Sequence, residues 1–362
     1  MSIMEEVFLR FPHIGIQFFE KLDDSNLAKC REVSKSWKNF IDSEELPRKR
    51  VHRNWEKTLQ DYPCKNSQTK LLVALVTDQN EMFKVIFNEE RQNLKPINDY
   101  SDIPHKLAKK ITNLISPSQQ VHQSKIESIT PFHLASITGN FAACKLIIDS
   151  VDDKNSYNFH DQSSSVSPLH FAAERGYYKI CQLIINQIDN RNPEHFFTGF
   201  TPLHHAASNG HLKICQLIAK NIDDINPFND FRITPLHLAA KKGHYEVVKF
   251  FCSFIEDKNP IGGFRRDTPL YLAAMEGHLD VCEFLIKAAK EKNPPNLYGK
   301  TPLHVASEFG HLDICQLIGG YINDKNPRDK NGMTRLQLAE ISTSRNRDKI
   351  VQYFNSDYLN SL

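Results

Sequence analysis

Seven stretches of the chain begin alike. TPFHLASITGNFAACKLI starts at Thr130, SPLHFAAERGYYKICQLI at Ser167, and TPLHHAASNGHLKICQLI at Thr201. TPLHLAAKKGHYEVVKFF follows at Thr234, TPLYLAAMEGHLDVCEFL at Thr268, TPLHVASEFGHLDICQLI at Thr301, and a shortened TRLQLAEI at Thr334. From Ser167 the starts lie 34, 33, 34, 33 and 33 residues apart. A period of this length constrains the fold more than any composition does. Each repeat is one supersecondary unit that cannot bury its apolar face alone, so neighbours must stack.

The copy at Thr201 shows what one unit predicts. Thr201 is placed as a helix N-cap, with Pro202 at the first helical position, where a missing N–H costs nothing. Leu203, Ala206 and Ala207 give an apolar face with small residues for close helix approach. Gly210 marks a left-handed turn. Ile214, Leu217 and Ile218 mark a second helix.

Three histidines and a cysteine lie within twelve residues here, a density that invites a metal or Cys/His reading. The repeat argues otherwise. His133, His170, His204, His237 and His304 share one register, and His211, His244, His278 and His311 another. Cys144, Cys181, Cys215, Cys282 and Cys315 share a third, where Val248 substitutes in the fourth copy. A metal needs convergent ligands at one location, not one set per repeat. Valine in a cysteine position says that a small apolar group is wanted there. Neighbouring helices about 8–10 Å apart also exceed the roughly 7 Å Cα limit for a disulfide, so reduced thiols are expected. His205 lies outside both registers and is expected to be exposed.

These residues resemble the ankyrin repeat, whose TPLHxAAxxGH signature and 33-residue period the copies carry. The resemblance covers about residues 129–355. It implies an all-α solenoid, with a hairpin tip and two antiparallel helices per repeat. Residues 129–362 are read as six repeats and a decayed C-terminal capping repeat. Residues 150–165, rich in Ser, Asp and Asn, account for the 37-residue gap between the first two signatures as a longer hairpin loop.

Before the repeats, FPHIGIQFFEKLDDSNLAKCREVSKSWKNFI at 11–41 reads as short amphipathic helices. It resembles an F-box, a helical module that docks on the Skp-family adaptor of cullin–RING ubiquitin ligases. The resemblance implies an F-box-like domain over 1–53, with Pro12, Leu22, Leu27, Val33 and Trp37 facing the adaptor. The opening departs from the family pattern: Phe11 precedes Pro12 where leucine is usual, and Ile14 and Gly15 stand where an acidic residue is expected. The alternative reading is a helical cap on the open end of the array, which solenoids require. Residues 54–128 form a helical connector. Within it TKLLVALVTDQNEMFKVIF, 69–87, resembles a decayed ankyrin unit, and IPHKLAKKITNLI from Ile103 is an amphipathic helix.

The charge balance, 45 basic against 43 acidic residues, gives no argument for nucleic acid or an anionic membrane. No apolar run approaches the roughly 18 residues of a spanning helix, and the acidic start MSIMEEVFLRF reads as no signal peptide. Eight cysteines without a CxxC pair fit the cytosol or nucleus. GxGxxG, P-loop, HExxH and GxSxG motifs are all absent, so no catalytic residue, metal or cofactor is expected. The chain is expected to bind a target protein, as a monomer on its own.

Target specificity should sit at the positions that do not repeat. One group comprises the two residues before each signature glycine, including Lys241, Lys242, Met275 and Phe309. By resemblance to the family these line the inner face. The other group is the hairpin tips. Phe197, Phe231, Phe264 and Tyr298 recur three or four residues before the threonine, as a ladder flanked by Arg232, Arg265 and Arg266. Arg232 and Arg266 take the place of the turn glycine found at Gly199, Gly299 and Gly332. Aromatics and arginine are enriched at binding hot spots, and an acidic peptide with aromatic or apolar groups would suit them.

Overall fold

Each signature folds into a helix with an extended threonine or serine as its cap, and the first six open with a proline in the first turn. The computed structural model describes residues 55–62, 67–90, 111, 130–149, 166–195, 197–324 and 326–359. The F-box-like residues Pro12, Leu22, Leu27, Val33 and Trp37 and the loop 150–165 lie outside them, as does the helix predicted from Ile103 except for its buried Ile111. The described residues are helical apart from turns and two isolated β-bridges. The chain divides into two compact units, Met1–Leu146 and Ile147–Leu362.

In the first unit, α1 (Ser67–Val76) and α2 (Asn80–Glu90) pack together, and α1 also packs on α3 (Pro131–Thr138); the helix that follows, α4 (Phe141–Asp149), contains the division between the units. The α1–α2 turn copies the repeat geometry. Asp78 has φ 56°, and the Gln79 N–H reaches back to the Ala74 carbonyl. Gly139, at φ 76°, and the Asn140-to-Ala135 bond do the same after α3.

The second unit is a stack of helix pairs. They are α5 (Pro168–Arg175) with α6 (Tyr178–Ile185), α7 (Pro202–Ser208) with α8 (Leu212–Ala219), and α9 (Pro235–Lys241) with α10 (Tyr245–Phe254). Next come α11 (Pro269–Glu276) with α12 (Leu279–Ala288), α13 (Pro302–Phe309) with α14 (Leu312–Gly319), and the closing α15 (Arg335–Ile341) with α16 (Arg347–Leu359). First helices pack in one row, α5 to α15, and second helices in another, α6 to α14. The seam between rows is apolar and repeats with the period. In one pair Leu203, Ala206, Ala207, Ile214, Cys215 and Ile218 are all buried. Each buried Leu or Ile contributes roughly 1.5–3 kcal/mol by its removal from water. All six cysteines in the described region are buried free thiols. Val248, at 0% exposure, fills the place of the missing one. Burial pushes the Cys215, Cys282 and Cys315 thiols up to about 12, so they behave as small apolar groups.

Successive units join at the hairpins. Each tip closes on its own main-chain bonds, Asn229 N–H to the Ile233 carbonyl at 3.0 Å for example. One further bond reaches the next tip: Asp230 N–H to Thr198 O, Gly263 N–H to Arg232 O, Leu297 N–H to Arg265 O and Lys330 N–H to Tyr298 O. At the turn position Gly199, Gly299 and Gly332 have φ of 63°, 74° and 76°. Arg232 and Arg266 hold the same left-handed conformation at 58° and 60°, which costs an L-residue about 1–2 kcal/mol.

The signature glycine is fixed by two constraints at once. Gly243 sits at φ 73°, and a Cβ there would lie 2.5 Å from the His278 ring. Gly263 has a similar φ of 70° but nothing within 4 Å of its missing Cβ. Gly243→Ala is therefore expected to cost about 3 kcal/mol or more, strain plus overpacking. Gly263→Ala should cost only the strain, about 1 kcal/mol. Urea denaturation midpoints of the two variants check the difference.

Candidate binding surface

The first histidine register has a structural task that fixes its tautomer. The N-cap backbone N–H of Thr201, Thr234 and Thr301 donates to Nδ1 of His204, His237 and His304 at 3.1–3.2 Å. The cap hydroxyl donates to the same nitrogen at 2.8–2.9 Å. A main-chain N–H can only donate, so Nδ1 is unprotonated and the neutral ring carries its hydrogen on Nε2. That N–H points into the following hairpin. His170 donates to Phe200 O, His204 to Ile233 O and His304 to Pro327 O, each at 3.0 Å.

The second register points the other way. Nε2 of His211, His244, His278 and His311 bonds the carbonyls of Glu174, Ser208, Lys241 and Met275 in the preceding repeat at 3.0–3.1 Å. In the decayed last repeat Ser342 takes over, donating to the equivalent Glu308 carbonyl at 2.6 Å. Among the described residues no three His, Cys, Asp or Glu side chains converge to hold a metal ion.

A recurrent Asn-Pro pair belongs to the same scheme and went unnoticed in the sequence. The Oδ1 atoms of Asn192, Asn226, Asn259 and Asn293 accept from the backbone N–H of Leu203, Leu236, Leu270 and Leu303 at 2.9–3.1 Å. The dipeptide recurs at 192, 226, 259, 293 and 326, the period of the signature itself, and that periodicity is the signal that would have found it.

With these residues accounted for, the exposed rim stands out. Phe264 is 78% exposed and meets the half-buried Phe231 edge to face, ring centres 5.6 Å apart. The rung on the other side is Phe200, 6.5 Å from Phe231, and not the predicted Phe197. Phe197 stands 64% exposed beside His195. Tyr298 is exposed on the next tip, where its carbonyl serves the tip-to-tip bond. Arg232 lies over the exposed Phe228 ring, 5.0 Å from its centre. Arg265 and Arg266 are exposed. Lys241 and Met275 are half-buried and Lys242 and Phe309 exposed, at the ends of the first helices. Their neighbour Glu308 pairs with Lys300 at 2.6 Å.

His205 corrects an expectation. It is half-buried, not exposed. The His170 ring meets it edge to face at 5.7 Å, and Phe200 covers it at 6.1 Å. A second histidine at this place therefore extends the aromatic row inward from Phe200.

Stacked helix pairs whose joined tips display aromatic and basic side chains define a protein-interaction module. A family model described as ankyrin repeats matches at residues 105–193, 169–261 and 255–329, well over half of the chain taken together. The chain belongs to the ankyrin-repeat family. A model of the F-box domain matches residues 3–49. Among solved structures, the human ASB11 ankyrin repeat domain superposes with a TM-score of 0.51 at 21% identity, over 62% of this chain and 97% of that one. That likeness is one of fold. A search of curated proteins finds no significant match. Ankyrin-repeat and F-box domains are typically non-catalytic. Among the described residues no helix is long and apolar enough to cross a membrane.

The buried histidines make stability depend on pH. Burial holds His204 and His237 down to about 4, below their ordinary 6.5. As pH falls the unfolded chain binds these protons first. Stability is therefore full above 6.5 and is lost between 6.5 and about 4. Each fully buried imidazole contributes a slope of about 1.4 kcal/mol per pH unit within that window. Urea midpoints at pH 7.5 and 5.5 should show a clear loss at the lower value, above the range where most carboxylates titrate. His237→Gln should make the loss shallower.

Proposed function

We propose that this chain is a substrate receptor of a cullin–RING ubiquitin ligase acting in the cytosol or nucleus. Residues 1–53 form its adaptor-binding end, 54–128 connect, and 129–362 carry the repeats. Pro12, Leu22, Leu27, Val33 and Trp37 hold the Skp-family adaptor. The hairpin rim (Phe197, Phe231, Arg232, Phe264, Arg265, Arg266 and Tyr298) and the inner face (Lys241, Lys242, Met275 and Phe309) hold the target protein. Ubiquitin transfer belongs to other subunits, and this chain contributes no catalytic group.

The observation that carries this reading is the F-box match at 3–49 in the same chain as the repeats. F-box domains generally bind the Skp-family adaptor, and ankyrin repeats bind target proteins. The rim supports the second half of the assignment. Its non-repeating residues are aromatic and basic while the repeating ones are occupied in holding the fold, so the rim can vary in sequence without loss of the stack.

A pull-down of the full chain with the Skp-family adaptor tests the reading, beside a Pro12→Ala, Val33→Asp double variant. Wild type is expected to retain the adaptor, and the variant to lose at least nine-tenths of it with an unchanged circular dichroism spectrum. If wild type retains none, the N-terminal segment is a cap on the array and the protein is a binding scaffold.

A further inference from the structure

We propose that Phe200, Phe231 and Phe264 form a docking line for an extended acidic peptide. Its apolar side chains rest on the rings, and its carboxylates meet the tip arginines. This deepens the target-binding reading above and rests on it.

Three observations converge on adjacent hairpins. First, the rings run as a continuous row, 6.5 and 5.6 Å apart, and end in the most exposed large apolar side chain among the described residues. Packing alone does not require Phe264 to be 78% exposed. An extended chain repeats its same-face side chains about every 6.6 Å, within about 1 Å of both ring separations. Residues two apart can thus sit on neighbouring rungs.

Second, the two hairpins whose rings meet edge to face are also the two in which arginine replaces the turn glycine. Arg232 and Arg266 hold a left-handed backbone that their side chains disfavour, where Gly199, Gly299 and Gly332 hold it freely. The tip-to-tip bonds are main-chain bonds that use no guanidinium. Arg232 rests over the exposed Phe228 ring, a solvent-facing contact, and backbone strain kept at two tips is a mark of a functional site.

Third, the charge is one-sided. Arg232, Arg265 and Arg266 stand on the two tips that carry Phe231 and Phe264, and Lys241 lies near Asp267, against the two acids Asp230 and Asp267. Asp267 is partly engaged already, accepting from Asn296 Nδ2 at 2.8 Å. Guanidinium groups pair carboxylates in a two-pronged geometry, and rings bounded by them accept apolar groups that bring acids alongside.

The test is a selection of random nine-residue peptides on the immobilised full chain. Parallel selections use the Phe231→Ser, Phe264→Ser and the Arg232→Gly, Arg266→Gly double variants. Wild type should enrich acid-rich peptides with apolar residues at alternating positions, and neither variant should. A representative winner should bind each variant at least tenfold more weakly by fluorescence anisotropy. The Arg→Gly variant separates binding from folding. Glycine is the native residue at the other tips, so its melting temperature should stay unchanged or rise while binding is lost. No enrichment, winners that are neutral or basic, or equal enrichment on the variants would overturn the proposal. So would self-association of the wild type that disappears in the Phe→Ser variant, which would seat a second copy on the row. Neither adaptor nor ligase takes part, so this result and the adaptor pull-down fail independently.

Discussion

The stack depends on an imidazole that bonds in two directions at once; in the last copy, with no repeat after it, Gln337 keeps only the bond to the cap. At the third position of the first helix, the ring accepts from the cap of its own helix and, at His170, His204 and His304, donates to the hairpin of the next unit. The two nitrogens face opposite ways across a rigid plane, so one buried side chain links two repeats. Only the neutral tautomer with hydrogen on Nε2 satisfies both ends. In the copy at Thr268 tyrosine takes this place, buried at 5% exposure, and the cap loses the reciprocal bond from the side chain. The array tolerates one such gap because the second histidine register, the asparagines and the tip-to-tip bonds span the same seam.

Much of this was legible in the sequence, for a physical reason. A repeat multiplies each signal. One threonine before a proline is weak evidence of a cap, whereas several at a fixed period are strong. The left-handed glycines, the buried cysteine column and its valine substitute all follow from that arithmetic. What remained hidden was direction. Periodicity says that His204 and His211 recur, but not that one ring reaches forward and the other back. It also lent Phe197 a false equivalence with Phe231. Gly199 and Arg232 both stand two residues before their caps, but Phe197 stands four before its cap and Phe231 three, and the ring that faces Phe231 is Phe200, one residue before its cap. His205 was misplaced for a related reason: a residue outside the register has no counterparts to vote on its burial, and only the positions of Phe200 and His170 decide it.

Interfaces in such an array need not be carved from its core. The backbone of the tips and of the first-helix ends carries the bonds between repeats, which leaves their exposed side chains free to vary. The same separation explains the cysteines. Burial pushes their thiols up to about 12, which makes them poor nucleophiles at neutral pH, and among the described residues no three metal-binding side chains converge. A motif search read without the period would have taken them for nucleophiles or ligands.

The arginines at the turn mark where this separation is broken. Glycine serves the hairpin better at that position, and the same chain uses it three times, at Gly199, Gly299 and Gly332. Two central tips give up that advantage and place a cation beside an exposed ring. Destabilisation of about 1–2 kcal/mol at each is small against the burial gained in every repeat, so a long stack can carry it without loss of fold. A single small domain has less reserve. Repetition therefore does more than build a surface. It supplies enough redundant stability for a few tips to hold a strained backbone, as the pair at 232 and 266 does.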